Sequence, residues 1–207
     1  MNELLLQDKY LIKFLCDRTV GLGYKEVKAN TVSSDLLLIE DDLKAFLSNT
    51  PENKKAWKKV LPRFDRDEGR LLSAFIEELQ ARMLQYTNVA IFLNNNRTFN
   101  FEGQPFHLFY PSGSSVHGDT LFEENIFSVV QEMTYRFMYE GDKKYTFRPD
   151  ITFFLNGMYL GYTELKSNYN NQSAWKNGRK KVLTNYEAAV EKYLKIAQYN
   201  DVDRSIR

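Results

Sequence analysis

The segment from Arg148 to Ser167 constrains this chain more than any other. It reads Arg-Pro-Asp, an apolar run to Leu155, Asn156-Gly157, and a second apolar run that ends in Glu164-Leu165-Lys166-Ser167. An Asn-Gly pair between two strand-length apolar runs predicts a β-hairpin. Side chains alternate along a strand, so positions 164 and 166 share one face and Leu165 takes the other. An acidic and a basic group thus stand side by side, with Asp150 at the start of the neighbouring strand. That layout suits a site holding a hard divalent cation against a phosphodiester. The alternative is a charge pair on a solvated edge strand, but Leu160 and Tyr162 should share the face of Glu164, and a packed floor under a charged end suits a pocket better.

The turn sets a condition on this site. A two-residue loop in perfect register pairs Leu155 with Met158, and therefore Asp150 with Thr163, turning Asp150 away from Glu164. A three-residue Asn-Gly-Met loop, or a bulge anywhere in the hairpin, brings Asp150 opposite Glu164. If the site exists, the hairpin is not a plain two-residue one.

Composition narrows the chemistry. With 28 basic and 27 acidic residues, any field that attracts DNA must be local. The single cysteine, Cys16, excludes an internal disulfide and a multi-cysteine zinc site, and two histidines, His107 and His117, leave little for a histidine metal centre. The work falls to carboxylates, amines and hydroxyls. The amino terminus lacks the order of a signal peptide, and no apolar run approaches the about 18 residues of a membrane span. A cytoplasmic location with no membrane contact is expected.

At 207 residues the chain has the length of one domain, expected as a helix-rich part over 1–96, a β-rich part over 97–167 and a closing helix over 179–199. Apolar spacing predicts a helix over 3–20 ended by Gly21 and Gly23, a strand or buried connection over 32–39, and a short helix capped by Asp41 or Asp42 and broken at Thr50-Pro51. The lysine-rich stretch around Trp57 suits a solvated helix face. Leu71, Leu72, Phe75, Ile76, Leu79 and Met83 form the stripe of an amphipathic helix. From Phe99 onward the period shortens. Strand-like runs over 126–139, 144–155 and 158–166 predict a β-meander. Trp175, Lys176, Arg179, Lys180 and Lys181 gather basic charge at the start of the closing helix, where phosphate contact and a solvated helix end are both open. Cys16 is expected in the core, and the histidines as structural or exposed.

Arg148-Pro149-Asp150, the Asn156-Gly157 turn and Glu164-Leu165-Lys166-Ser167 closely resemble the amino-terminal nuclease region of type I restriction enzyme R subunits, in the PD-(D/E)xK nuclease superfamily. Leu22-Gly23-Tyr24 resembles the Gly-Tyr that ends the first helix in that family. The resemblance implies an α/β (α+β) restriction-endonuclease-like fold, a mixed sheet flanked by helices with metal and DNA at one sheet edge. It implies Asp150, Glu164 and Lys166 as the catalytic set, with Mg²⁺ held by both carboxylates and the Leu165 carbonyl. It further implies a fragment of a larger subunit, since an ATP-using helicase motor follows the nuclease in the family and no phosphate-binding loop occurs here. DNA, a modification subunit and a specificity subunit are the implied partners. Family members often carry Gln-x-x-x-Tyr on the helix after the lysine; Tyr186 fits its last position, but Val182 stands in place of the glutamine. Some superfamily members recruit a carboxylate from the first helix, here Glu3 or Asp8. Two other classes compete: a non-cleaving nuclease fold that docks or binds DNA, and a stand-alone resolvase or repair nuclease.

Overall fold

A computed structural model describes residues 10–33, 37–83, 85–86, 89–113, 116–139 and 143–165. Its organising element is a mixed sheet built by β1 (Lys25–Val27), β4 (Phe127–Gln131), β7 (Ile151–Leu155) and β8 (Met158–Thr163), in that spatial order. β1 runs parallel to β4, while β4–β7 and β7–β8 are antiparallel. Two smaller antiparallel pairs stand apart from it: β2 (Thr98–Phe101) with β3 (Gln104–His107), and β5 (Tyr135–Tyr139) with β6 (Lys143–Phe147). The chain is α/β, as expected, but its amino-terminal part is not purely helical. β1 has exposed Lys25 and Glu26 and only three residues, too short for a period-2 signal to emerge.

Each long strand run is broken in the middle, and the two breaks face each other. Gln131 pairs with Ile151 and Tyr135 with Phe147, four residues further along both strands, so the register is the same on either side. Glu132 departs into the left-handed region at φ 48°. Across the break Pro149, opposite Met133 in this register, has no N–H to give a ladder. The Glu132 N–H still donates to the Asp150 carbonyl, at 2.9 Å.

The sheet is covered on both faces. Val130, Phe154, Tyr159 and Tyr162 belong to the larger core cluster. Val129 and Ile151, on the opposite face by strand parity, pack with Ile12 and Leu15 around α1 (Lys13–Cys16). The first helix ends at Cys16 rather than at Gly21. There the Asp17 carboxylate accepts hydrogen bonds from the Thr19 and Val20 N–H groups and the Thr19 hydroxyl, turning the chain early. Those bonds pull the Asp17 pKa down to about 2. Cys16 is half-buried at the margin of the smaller cluster, where burial raises its thiol pKa.

The large cluster joins the sheet to α2 (Glu40–Asn49), α3 (Asn53–Val60), α4 (Glu68–Met83) and α5 (Val89–Asn95). All six predicted stripe residues of α4 are buried. Phe75 meets Phe99, Phe101 and Phe106 with ring centroids 5.1–5.3 Å apart, so the β2–β3 hairpin is held to α4 by tilted and edge-on aromatic pairs. On α3 the pattern behaves as a solvated basic face: Trp57 is buried, while Lys54, Lys55, Lys58 and Lys59 are exposed. A short helix, α6 (Val116–Phe122), precedes β4.

Neither Asp41 nor Asp42 caps α2, whose N-cap position is Ile39. Asp42 instead sits one turn in, 1% exposed, accepting the Ser128 hydroxyl at 2.6 Å and paired with Lys25. This carboxylate ties α2 to the adjoining strands β1 and β4. Asp42→Ala strands the buried Ser128 hydroxyl, and urea denaturation should register a loss of about 1–3 kcal/mol.

Candidate active site

The β7–β8 hairpin resolves the register condition by a bulge. Leu155 pairs with Met158 across a two-residue Asn156-Gly157 turn, both turn residues at positive φ (51° and 81°). Phe154 then pairs with Tyr159 but Phe153 with Gly161, so Leu160 is the extra residue. Beyond it the pairs run Thr152–Tyr162 and Ile151–Thr163, and one step further Asp150 comes opposite Glu164. The bulge corrects one expectation. Leu160 is exposed, and Tyr159 shares the buried face of Tyr162.

The turn itself is buried. Asn156 accepts a hydrogen bond from the Ile126 N–H (2.7 Å) and donates through Nδ2 to the Leu108 carbonyl and to Asn125 Oδ1. Asn125 in turn holds both main-chain groups of Tyr110. The Gly157 carbonyl accepts the Ile39 N–H at the head of α2. The hairpin is thus anchored at its closed end, while Asp150 and Glu164 stand at its open end.

At that open end the Leu165 N–H donates to Oδ2 of Asp150 at 2.5 Å, a direct link between the two motif halves. Leu165 packs against the smaller cluster with Ile151 and Phe153. Its side chain therefore lies on the α1 side of the sheet, leaving the Asp150–Glu164 row on the face of Thr152 and Tyr162. Asp150 and Glu164 are both half-buried. Tyr135 and Tyr159 pack edge-on at 6.3 Å within the core on that face, and burial raises both hydroxyl pKa values far above the ordinary tyrosine range. Both tyrosines on that face therefore stay neutral.

Two carboxylates and a neighbouring backbone carbonyl are hard oxygen donors, which fits Mg²⁺ and not a thiophilic metal. Among the described residues no group of three or more His, Cys, Asp or Glu side chains is arranged to hold a metal. A cation here would draw on the Asp150–Glu164 pair and complete its shell with carbonyl, water and phosphate oxygens. Lys166, Lys176, Arg179, Lys180, Lys181, Tyr186, Glu3 and Asp8, together with the closing helix predicted over 179–199, lie outside the described residues. His107 is structural: it pairs with Glu52 at 2.8 Å and its main chain is bracketed by Asn53. The side chain of His117 also falls outside the described set.

One neighbour of the site escaped the sequence pattern. Glu132 lies opposite Asp150, and its carboxylate accepts a hydrogen bond from Arg148 Nη2 at 2.6 Å. Counting back along the ladder from Tyr139 opposite Lys143 places it there.

Among the described residues no helix is long and apolar enough to cross a membrane. No curated protein and no solved structure matches the chain. A family match does cover most of it, over residues 48–201, including the whole hairpin and the helical segments from the end of α2 onward. The chain belongs to the family described as type I restriction enzyme R protein N terminus.

Proposed function

We propose that this chain is a Mg²⁺-dependent endonuclease domain that hydrolyses DNA phosphodiester bonds within a type I restriction–modification assembly. Sequence recognition and ATP-driven translocation would come from other parts of that assembly. The supporting observation is the bulged register that sets Asp150 against Glu164, with the Leu165 N–H fixing one oxygen of Asp150.

In this mechanism Asp150, Glu164 and the Leu165 carbonyl would hold the cation. Bound Mg²⁺ would polarise the scissile phosphate and acidify a coordinated water. Lys166 would orient the attacking water and offset charge developing on the phosphate. The anchored turn and the Leu165–Asp150 bond keep the two carboxylates at a fixed separation, so little reorganisation is needed when DNA arrives. No covalent enzyme intermediate is required.

The test is plasmid cleavage by the R subunit assembled with its modification and specificity subunits, with ATP and Mg²⁺. Asp150→Asn should leave ATP hydrolysis intact and remove cutting. Undiminished cutting would overturn the assignment, and assembly without any Mg²⁺-dependent cutting by the wild type would favour a docking module.

DNA contact is assigned to Lys176, Arg179, Lys180 and Lys181. Replacing all four with alanine should weaken binding equally for unrelated duplexes and flatten the dependence of log K on log salt, as loss of phosphate contacts does. Fluorescence anisotropy across a salt series measures both.

A further inference from the structure

We propose that Glu132 is a positioning residue for Asp150: with its N–H and its carboxylate it grips the Arg148-Pro149-Asp150 segment from the neighbouring strand and so fixes the Asp150 carboxylate for a divalent cation. The proposal rests on the metal-dependent reading given above.

Four observations carry it. The ladder on either side of the break keeps one register, which sets Glu132 directly across from Asp150. The Glu132 N–H donates to the Asp150 carbonyl at 2.9 Å. The Glu132 carboxylate binds Arg148 Nη2 at 2.6 Å, two residues before Asp150. Between these two points Pro149 is buried and has a restricted φ. The entry to β7 is thus held at both ends and stiff in the middle.

The identity of the residue argues in the same direction. At φ 48° a side chain is disfavoured, and glycine would serve the backbone better. Glu132 adopts this conformation although the ion pair it makes is about half exposed, with side-chain accessibilities of 56% for Arg148 and 46% for Glu132. Pairs so exposed contribute little to stability. A strained conformation supporting a weakly stabilising pair is explained if the pair acts on geometry. The consequence is a relay from β4 through Arg148 and the Asp150 main chain to the Asp150 carboxylate, whose other anchor is the Leu165 N–H.

Glu132→Gly separates geometry from stability, because it relaxes the backbone while deleting the grip on Arg148. The 207-residue chain would be titrated with Mn²⁺ by calorimetry, with its thermal midpoint measured in parallel. The expected result is an unchanged or raised midpoint and a Mn²⁺ affinity lower by about tenfold, the low end of what loss of an outer-shell partner costs. Glu132→Gln, which still accepts from Arg148, should lose less. Wild-type Mn²⁺ affinity in Glu132→Gly overturns the proposal, as does an affinity lost only together with folded structure. Asp150→Asn is the control: if wild type shows no Mn²⁺ binding that depends on Asp150, the metal reading itself fails and takes this proposal with it. If such binding is present and Glu132→Gly leaves it intact, the positioning role alone is wrong.

Discussion

Gly157→Ala should cost about 3–5 kcal/mol of stability, a large share of the 5–15 kcal/mol that holds a domain folded. Two effects add. At φ +81° a Cβ is disfavoured by about 1–2 kcal/mol. The new methyl would also stand 2.3 Å from the Ile39 carbonyl oxygen and 2.7 Å from the Leu43 nitrogen. Both are backbone atoms at the head of α2, so they cannot swing aside as a side-chain tip would, and α2 must move off the hairpin. Gly103→Ala supplies the comparison. Its φ is +70°, but nothing lies within 4 Å of the added Cβ, so only the conformational penalty of about 1–2 kcal/mol applies. Urea denaturation of both variants measures the difference, which is the cost of the clash. Equal losses would mean that α2 does not bear on the turn as described.

Loss of either site carboxylate should have the largest effect on activity. Asp150→Asn and Glu164→Ala are each expected to reduce Mg²⁺-dependent cleavage by more than about 100-fold, beyond the 10–100-fold that loss of an outer-shell partner causes. The two differ in their effect on the fold. Asn at 150 keeps an oxygen to accept the Leu165 N–H, so stability should stay within about 1 kcal/mol of wild type. Asp150→Ala deletes that acceptor and should cost about 1–2 kcal/mol more. Glu164→Ala removes one of two opposed carboxylates and relieves their repulsion in the absence of a cation, leaving the thermal midpoint unchanged or slightly raised. Calorimetric Mn²⁺ titration alongside thermal melts reads both arms. A collapse of the fold on Glu164→Ala would assign that residue a structural role.

Much of this protein was legible because local chemistry dictates it. The stripe Leu71 to Met83 can bury its apolar face only as a helix, and the alternation of Phe99, Phe101 and Phe106 suits short strands; both are what the structure contains. The Asn-Gly pair fixes a turn because only such residues accept two successive positive φ values readily. The condition that the hairpin be irregular was also derivable, since strand parity is strict. Which irregularity it is, and where, was not. A bulge at Leu160 and a three-residue loop give the same pairing at Asp150, and the choice turns on α2 pressing against Gly157 and on the asparagine network that buries Asn156. Those contacts come from residues far away along the chain, so no local pattern encodes them. The same reason hid β1, whose three residues become a strand only by pairing with β4, and Asp42, whose local signal is that of a helix cap but whose partners are Lys25 and Ser128. It hid Glu132 as well, which looks like one more polar residue in a strand run until the ladder sets it across from Asp150. Sequence alone determined the strongly patterned elements and the residue types of the motif, because these depend on neighbours in the chain; the tertiary structure decided the register, the anchors and the surroundings of the carboxylates, because these depend on neighbours in space.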